Sequence, residues 1–284
     1  MYETALERAL EELPGHWQRH LREAEICPVE GGLCNTLFQV RHPSGDVALR
    51  VNHPDPEPLG VDHQREHAML DLIADNPWAP HLRYASNNLM VTDWVGGDAP
   101  VGGELTRLHW LAHALTSVHA CSETTPVPSL QTDIPTLLLR FATRCPQRQA
   151  TGSAVEQLLE HYQPPSRRVL CHHDWHPGNL ILSSSGWTLL DWEFAGFGDP
   201  CLDAGSAING FALNPRQIER LAQLTGFSVD NLVIAARIMD ALEVVWFAAN
   251  PALTHNSAER LDNWLNSAHS DCGWPNHKQT RRPV

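Results

Sequence analysis

Apolar residues recur at helical spacing from the start of the chain. Tyr2, Ala5, Leu6, Ala9, Leu10 and Leu13 share one side of a helix that Pro14-Gly15 ends. A second short helix is expected over residues 18–25. The period then shortens to two. Residues 28–40 read as a strand, a Gly31-Gly32 turn and a second strand, and residues 46–51, 82–85 and 89–95 read as three more. Residues 62–74 break this run with a helix that turns Ala68, Met69, Leu72 and Ile73 inward. Beyond residue 105 the helical period dominates, with helices expected over 105–120, 134–145, 155–162, 215–225, 229–249 and 258–268. One β interruption stands among them. Leu180-Ile181-Leu182 and Trp187-Thr188-Leu189-Leu190 flank the turn cluster Ser183-Ser184-Ser185-Gly186, which predicts a hairpin with a four-residue loop. The fold class is therefore α+β, a small antiparallel sheet followed by a mainly helical part. Residues 272–284 read as a loose polar tail.

The hairpin carries the chemistry. Pairing outward from its loop sets Leu182 opposite Trp187 and Asn179 near Leu190, so that Asn179 and Asp191 lie side by side at the open end. An amide oxygen and a carboxylate there suit a hard divalent cation such as Mg²⁺, which takes oxygen ligands and keeps waters for phosphates. Asp174 lies five residues before Asn179, on a loop kept irregular by Pro177 and Gly178, and is placed to address the same space. That layout suits phosphoryl transfer, which needs one carboxylate to orient a hydroxyl and oxygen groups to hold metal on a nucleotide. A zinc cluster of His172, His173 and His176 with Asp174 is the competing reading, but no distant second half accompanies it. Asp199-Pro200 also fits a turn, and Asp203 fits a helix N-cap before Ala204.

Composition narrows the partners. Hydrophobic residues at 42% and charged residues at 19% describe a globular chain, and 284 residues call for two lobes rather than one core. The formal net charge of −13 disfavours nucleic acid and anionic membrane, and it is compatible with a cationic substrate. Seven scattered cysteines and an amphipathic rather than signal-like N-terminus point to a reducing, cytoplasmic setting. The apolar stretch 232–249 contains Arg237, Asp240 and Glu243, which marks a buried helix and not a membrane span. The single lysine is Lys278 near the C-terminus, so a phosphate-binding lysine is ruled out elsewhere.

H-x-D-x-x-x-x-N (His172 to Asn179), D-W-E (Asp191 to Glu193) and G-D-P-x-x-D (Gly198 to Asp203) together resemble the aminoglycoside phosphotransferase and choline kinase superfamily. These are small-molecule kinases with a bilobal, protein-kinase-like fold. The resemblance spans about residues 25 to 250. It implies ATP and Mg²⁺ as cofactors, Asp174 and His172 as catalytic residues, Asn179 and Asp191 as metal ligands, and Asp203 as a buried brace. Arg50 stands where kinases carry their strand lysine, with Glu66 as its partner. Gly31, Gly32 and Asn35 match a G-G-x-x-N turn toward phosphate; without the resemblance Gly31-Gly32 reads as an ordinary hairpin turn. Thr92 and Trp94 fall in a hinge whose backbone holds adenine, and Gly96-Gly97 then separates an N-lobe (1–95) from a C-lobe (96–284).

In this family late helices wall the acceptor pocket. Glu193, Asp240, Glu243 and Trp246 are the candidates there, with Phe247 completing an acidic-aromatic face suited to a cation. The same pattern also fits a core stripe with a solvated face. The run G-x-x-L-L-D-W-E-F-A-G-x-G-D is most similar to the bacterial thiamine kinase group, then to choline and ethanolamine kinases, then to amino-sugar and aminoglycoside kinases. The expected partner is a small cationic alcohol, with no nucleic acid and no membrane, for a monomer or homodimer. A nucleotide-binding pseudokinase is the reading from a different class.

Overall fold

The computed structural model describes residues 2–30, 32–100, 105–121, 127–184 and 186–268. In chain order the elements are α1 (Tyr2–Glu12), α2 (Gly15–Glu23), β1 (Glu25–Val29), β2 (Thr36–Arg41), β3 (Val47–Val51), α3 (His63–Ile73), β4 (Leu82–Ala85), β5 (Leu89–Asp93), α4 (Leu105–His119), α5 (Ile134–Ala142), α6 (Arg148–Leu159), β6 (Val169–Cys171), β7 (Leu180–Ser183), β8 (Gly186–Leu189), β9 (Gly196–Gly198), α7 (Pro200–Gly210), α8 (Pro215–Thr225), α9 (Val229–Ala249) and α10 (Ser257–Ala268). They divide into two compact units. Among the described residues the first holds the chain up to Asp98 with Ile181–Glu193; the second holds the chain from Ala99 to Leu180 and from Phe194 to Ala268. The division thus differs from a single cut after residue 95, because the hairpin and the D-W-E segment return to the first unit.

The first unit is built on an antiparallel sheet of order β1-β2-β3-β5-β4. The two-residue period of β3 sends Val47, Leu49 and Val51 to one face, where they pack with Phe38, Val40, Val91 and the Ala5, Ala9 and Leu13 stripe of α1. Arg50 lies between Leu37 and Met90 in register and points to the opposite face, toward α3. Asp62 caps α3, its Oδ1 accepting from the Gln64 and Arg65 amides at 3.0 and 3.1 Å. The returning hairpin is fastened at several points. Asp98 and Leu182 exchange backbone bonds at 3.0 and 2.8 Å, and the Leu189 amide donates to the Trp78 carbonyl at 3.0 Å. Trp78 also stacks against Trp187 (5.8 Å between centroids) and Trp192 (5.7 Å). Trp192 is the central residue of D-W-E, so this stack fixes the segment that carries Asp191 and Glu193.

The second unit is organised around α9. Ile238, Ala241 and Val245 of that helix pack with Leu138 and Phe141 of α5, Val155 of α6, Leu202 of α7 and Leu265 of α10. The predicted extents of α8 and α9 match the structure, and each starts at a side-chain cap: Asn214 with a reciprocal Gln217 box, and Ser228. Three expectations are corrected. Helix α6 begins at Arg148 rather than 155, because Thr151 and Ala154 are buried and extend its packed face N-terminally. Asp199 caps α7 by accepting from the Cys201 amide at 2.8 Å, which puts Asp203 inside the first turn instead of at the N-cap. The short antiparallel pair β6–β9, with Leu170 opposite Phe197, stands where no strands were expected. Among the described residues no helix is long and apolar enough to cross a membrane. The expected tail over 272–284 lies outside the described residues.

Candidate active site

In the first unit the sheet and α3 bring together two residues 16 apart in sequence. Arg50 Nη1 donates to Glu66 Oε1 at 2.8 Å, and Nη2 donates to Oε2 of the same carboxylate. The arginine is 7% exposed and the glutamate wholly buried. Burial alone would push Glu66 upward, but the guanidinium and the nearby His63 ring hold it down at about 2. The same glutamate raises Arg50 further above its ordinary range. Arg50 Nε donates to Asn52 Oδ1 at 3.0 Å, and Nη1 also reaches Asp191 Oδ1 at 3.3 Å. Arg50, Glu66 and Asp191 therefore form one contiguous group. Asp191 itself adopts φ 62°, an uncommon conformation for a residue with a side chain, and its side chain is 39% exposed.

Asn35 and Glu193 join the same group. Asn35 Nδ2 donates to Glu193 Oε2 at 2.9 Å, while its Oδ1 accepts from the His53 amide at 3.0 Å. Glu193, expected to line the acceptor pocket, stands beside Asn35 within the first unit. Burial and the neighbouring Asp191 push its carboxyl well above the usual range. The same surroundings, burial first, push the Cys34 thiol up to about 12. Gly32 lies against the Asn35 carbonyl, which a Cβ there would meet at 2.5 Å; Gly31 is outside the described residues. Thr92 is paired on both sides within the sheet, to Ala48 and Leu82. The Trp94 amide is engaged with the Asp46 carbonyl at 3.0 Å, so its N–H is already committed.

In the second unit the H-x-D-x-x-x-x-N loop folds around two imidazoles. His172 Nδ1 accepts from the Asp174 amide at 3.2 Å, and His176 Nδ1 accepts from the Gly178 amide at 3.0 Å. Asn179 Nδ2 closes the loop on Asp174, donating to its carbonyl at 3.0 Å and its Oδ2 at 2.9 Å. Asp203 braces the loop from below. Its Oδ1 accepts from the His172 and His173 amides at 2.9 and 2.6 Å, and Oδ2 meets His119 Nε2 at 2.7 Å. Burial opposes the charge on Asp203, but these donors outweigh it and hold the carboxyl at about 2. His173 takes φ 66° to present its amide. His172 was expected to share the chemistry with Asp174. Its ring is wholly buried and its Nδ1 accepts from the Asp174 amide. His176, the third histidine of the loop, was considered only as a zinc ligand; its 3.4 Å approach to Asp174 Oδ2 was not legible from spacing.

The acidic-aromatic face of α9 is occupied by the chain itself. Arg260 of α10 pairs with Glu243 Oε1 at 3.0 Å and lies over the Phe247 ring at 5.1 Å. Trp246 packs against the helical core beside it, and Asp240 is half-buried one turn earlier. The face was expected to hold a cationic substrate; among the described residues the cation it meets is an arginine 17 residues away in sequence.

The sequence profile of the Phosphotransferase enzyme family matches residues 25–238, and the chain belongs to that family. Thiamine kinases from Shigella boydii serotype 4 (strain Sb227) and Escherichia coli O157:H7 are each 30% identical over 181 residues. That match covers 63% of this chain and 64% of theirs, just under two thirds of the relatives' length. Among solved structures, choline kinase LicA from Streptococcus pneumoniae has a TM-score of 0.74 at 15% identity, covering 93% of this chain and 98% of that one. Plasmodium vivax ethanolamine kinase has a TM-score of 0.73 at 11% identity, with 93% and 85% covered. These likenesses establish the α+β, protein-kinase-like fold.

The buried ion pair and the Asp203 brace make testable demands. Arg50→Ala leaves Glu66 charged and buried without its partner, so it should destabilise the protein by about 3–5 kcal/mol. Glu66→Ala should do the same, and the double variant should lose clearly less than the sum in urea titrations, because the two act as one unit. Glu66 and Asp203 each have a folded-state value of about 2, below the unfolded values of 4.5 and 3.8. Their contributions are thus complete above those unfolded values and vanish as pH falls through about 2. Urea midpoints should drop steeply across that acid window, and Asp203→Asn, though less stable, should show a shallower drop.

Proposed function

We propose that this protein is an ATP-dependent phosphotransferase acting on the hydroxyl of a small cationic alcohol, with thiamine the first candidate. The observation that carries the reading is the closed loop of the second unit, in which Asn179 and the imidazole-supported backbone hold Asp174 in one orientation. In the proposed reaction the acceptor hydroxyl oxygen bonds to the γ-phosphorus, the bond from that phosphorus to the β,γ-bridging oxygen breaks, and ADP leaves. The hydroxyl proton passes to the Asp174 carboxylate. Such transfers depend on positioning and charge stabilisation more than on covalent help from the protein.

Each unit, taken by itself, offers an oxygen donor of the kind Mg²⁺ takes. Asp191 offers a partly exposed carboxylate, and Asn179, having committed its NH₂ to Asp174, has an amide oxygen to give. When bound, Mg²⁺ would neutralise charge on the nucleotide phosphates. Arg50, held in plane by Glu66, is proposed to address those phosphates bidentately, a task its planar fork performs better than a lysine would. Its contact with Asp191 orients the two groups relative to each other. Thiamine ranks before choline and ethanolamine because the relatives at 30% identity are thiamine kinases, whereas the choline and ethanolamine kinases share 15% and 11%.

A phosphorylation screen with ATP and Mg²⁺ over thiamine, choline, ethanolamine, amino sugars and aminoglycosides tests the proposal. Turnover is expected with thiamine. Nucleotide binding without transfer to any alcohol would replace the kinase reading by a nucleotide-binding module. Within an active enzyme, Asp174→Asn should keep ATP affinity yet lose roughly 10²–10⁴-fold in kcat. Asp191→Ala should remove most Mg²⁺-dependent ATP binding in calorimetry; unchanged affinity would count against its role as a ligand.

A further inference from the structure

The loop contains a histidine that the mechanism above does not use. His176 Nδ1 accepts from the Gly178 amide at 3.0 Å. A nitrogen that accepts carries no proton, so the neutral ring bears its hydrogen on Nε2. That nitrogen faces Asp174 Oδ2 at 3.4 Å, the oxygen to which Asn179 also donates. The side chains involved are only 20% and 28% exposed. The ring is also gripped by its surroundings. A Cβ at Gly178 would come within 2.8 Å of His176 Cε1, and one at Gly210 within 2.9 Å of His176 Cβ and 2.0 Å of the Trp175 carbonyl. Gly178 thus makes room for the ring, and Gly210 for the backbone that carries it.

We propose that His176 is a positioning residue for Asp174: its tautomer is set by Gly178, and its Nε2–H, together with the Asn179 amide, fixes which carboxylate oxygen faces the acceptor hydroxyl. The inference rests on the phosphotransferase reading for its catalytic consequence. The 3.4 Å separation is long for a hydrogen bond, and such contacts commonly tighten when substrate is bound. If His176 served only to cap the turn Pro177–Asn179, any short acceptor would suffice, since a cap needs the Nδ1 position and nothing beyond it. The Nε2 end is what distinguishes the two roles.

Two isosteres separate them. Asparagine places its oxygen near the Nδ1 position, keeping the bond from Gly178 and losing the donor toward Asp174. Glutamine places its NH₂ near the Nε2 position and keeps that donor. His176→Asn should lower kcat by about ten- to a hundred-fold, the loss expected for a hydrogen bond to a charged group, with KM for ATP nearly unchanged. His176→Gln should recover most of kcat. Asparagine performing as well as glutamine would overturn the proposal. A second measurement needs no turnover: nitrogen-15 spectra of the histidine-labelled wild-type protein, with the His176 signals assigned by their loss in His176→Gln. Nδ1 should be the unprotonated nitrogen, and the Nε2 signal should move in Asp174→Asn. An unprotonated Nε2 would overturn the proposal whatever the kinetics. Absence of wild-type turnover on any alcohol would overturn the phosphotransferase reading alone, because the spectra still decide whether His176 faces Asp174 as a donor.

Discussion

One carboxylate with no exposed surface, Asp203, determines whether the catalytic loop has a shape at all. A charge taken fully out of water is costly, and the protein keeps it charged by surrounding it with donors. Two of those donors are successive backbone amides, of His172 and His173, and they fix the chain direction just before Asp174. The third is His119, at the end of α4. Asp203 stands in the first turn of α7, where the helix N-terminus favours negative charge as well. Loop, α4 and α7 are consequently interdependent. The left-handed backbone at His173 is the local cost of pointing two consecutive amides at one oxygen.

The first unit uses the same device on side chains. Glu66 is wholly buried and remains ionised because Arg50 and His63 surround it. Glu193, close to the same arginine, shows the reverse outcome. There burial and the charge of Asp191 prevail, and the carboxyl is pushed toward its neutral form. Two glutamates within one cluster are thus driven in opposite directions by the presence or absence of a bidentate partner. Asn35 suits Glu193 in either state, since its amide donates to a carboxylate or to the carbonyl oxygen of an acid.

Periodicity exposed what is local. Helices α8 and α9 carry long amphipathic or apolar runs between clear caps, and the sequence defines both extents. The hairpin was legible from its serine-glycine turn, although its strands run through Ser183 and start again at Gly186, so the loop is shorter than the four residues expected; Arg50 with Glu66 was legible through the resemblance to kinases. Helix α6 was expected only from residue 155; Thr151, Gly152 and Ser153 are weak helix formers, although Thr151 is buried in the fold. Strands β6 and β9 are three residues each, too short for any alternation to register. Contacts between groups far apart along the chain were not legible. Glu193 meets Asn35 across 158 residues, and the position of Arg260 over Phe247 follows from how α10 packs on α9. A charge pattern on one helix identifies a face able to hold a cation; only the fold says which cation holds it.

The two units also divide the work of their carboxylates in a way that chemistry requires. A carboxylate clamped by a guanidinium, as Glu66 is, is a poor proton acceptor, because protonation would destroy the pair. It is suited to holding a cationic arm in place. Two of the contacts to Asp174 come from an amide and from an imidazole whose Nδ1 already accepts a backbone N–H. Such neutral donors orient a carboxylate without neutralising it. A residue asked to take a proton from an alcohol needs its geometry fixed and its charge left available; for the role proposed for Asp174, histidine and asparagine are suitable neighbours, where a lysine or arginine would compromise the second condition.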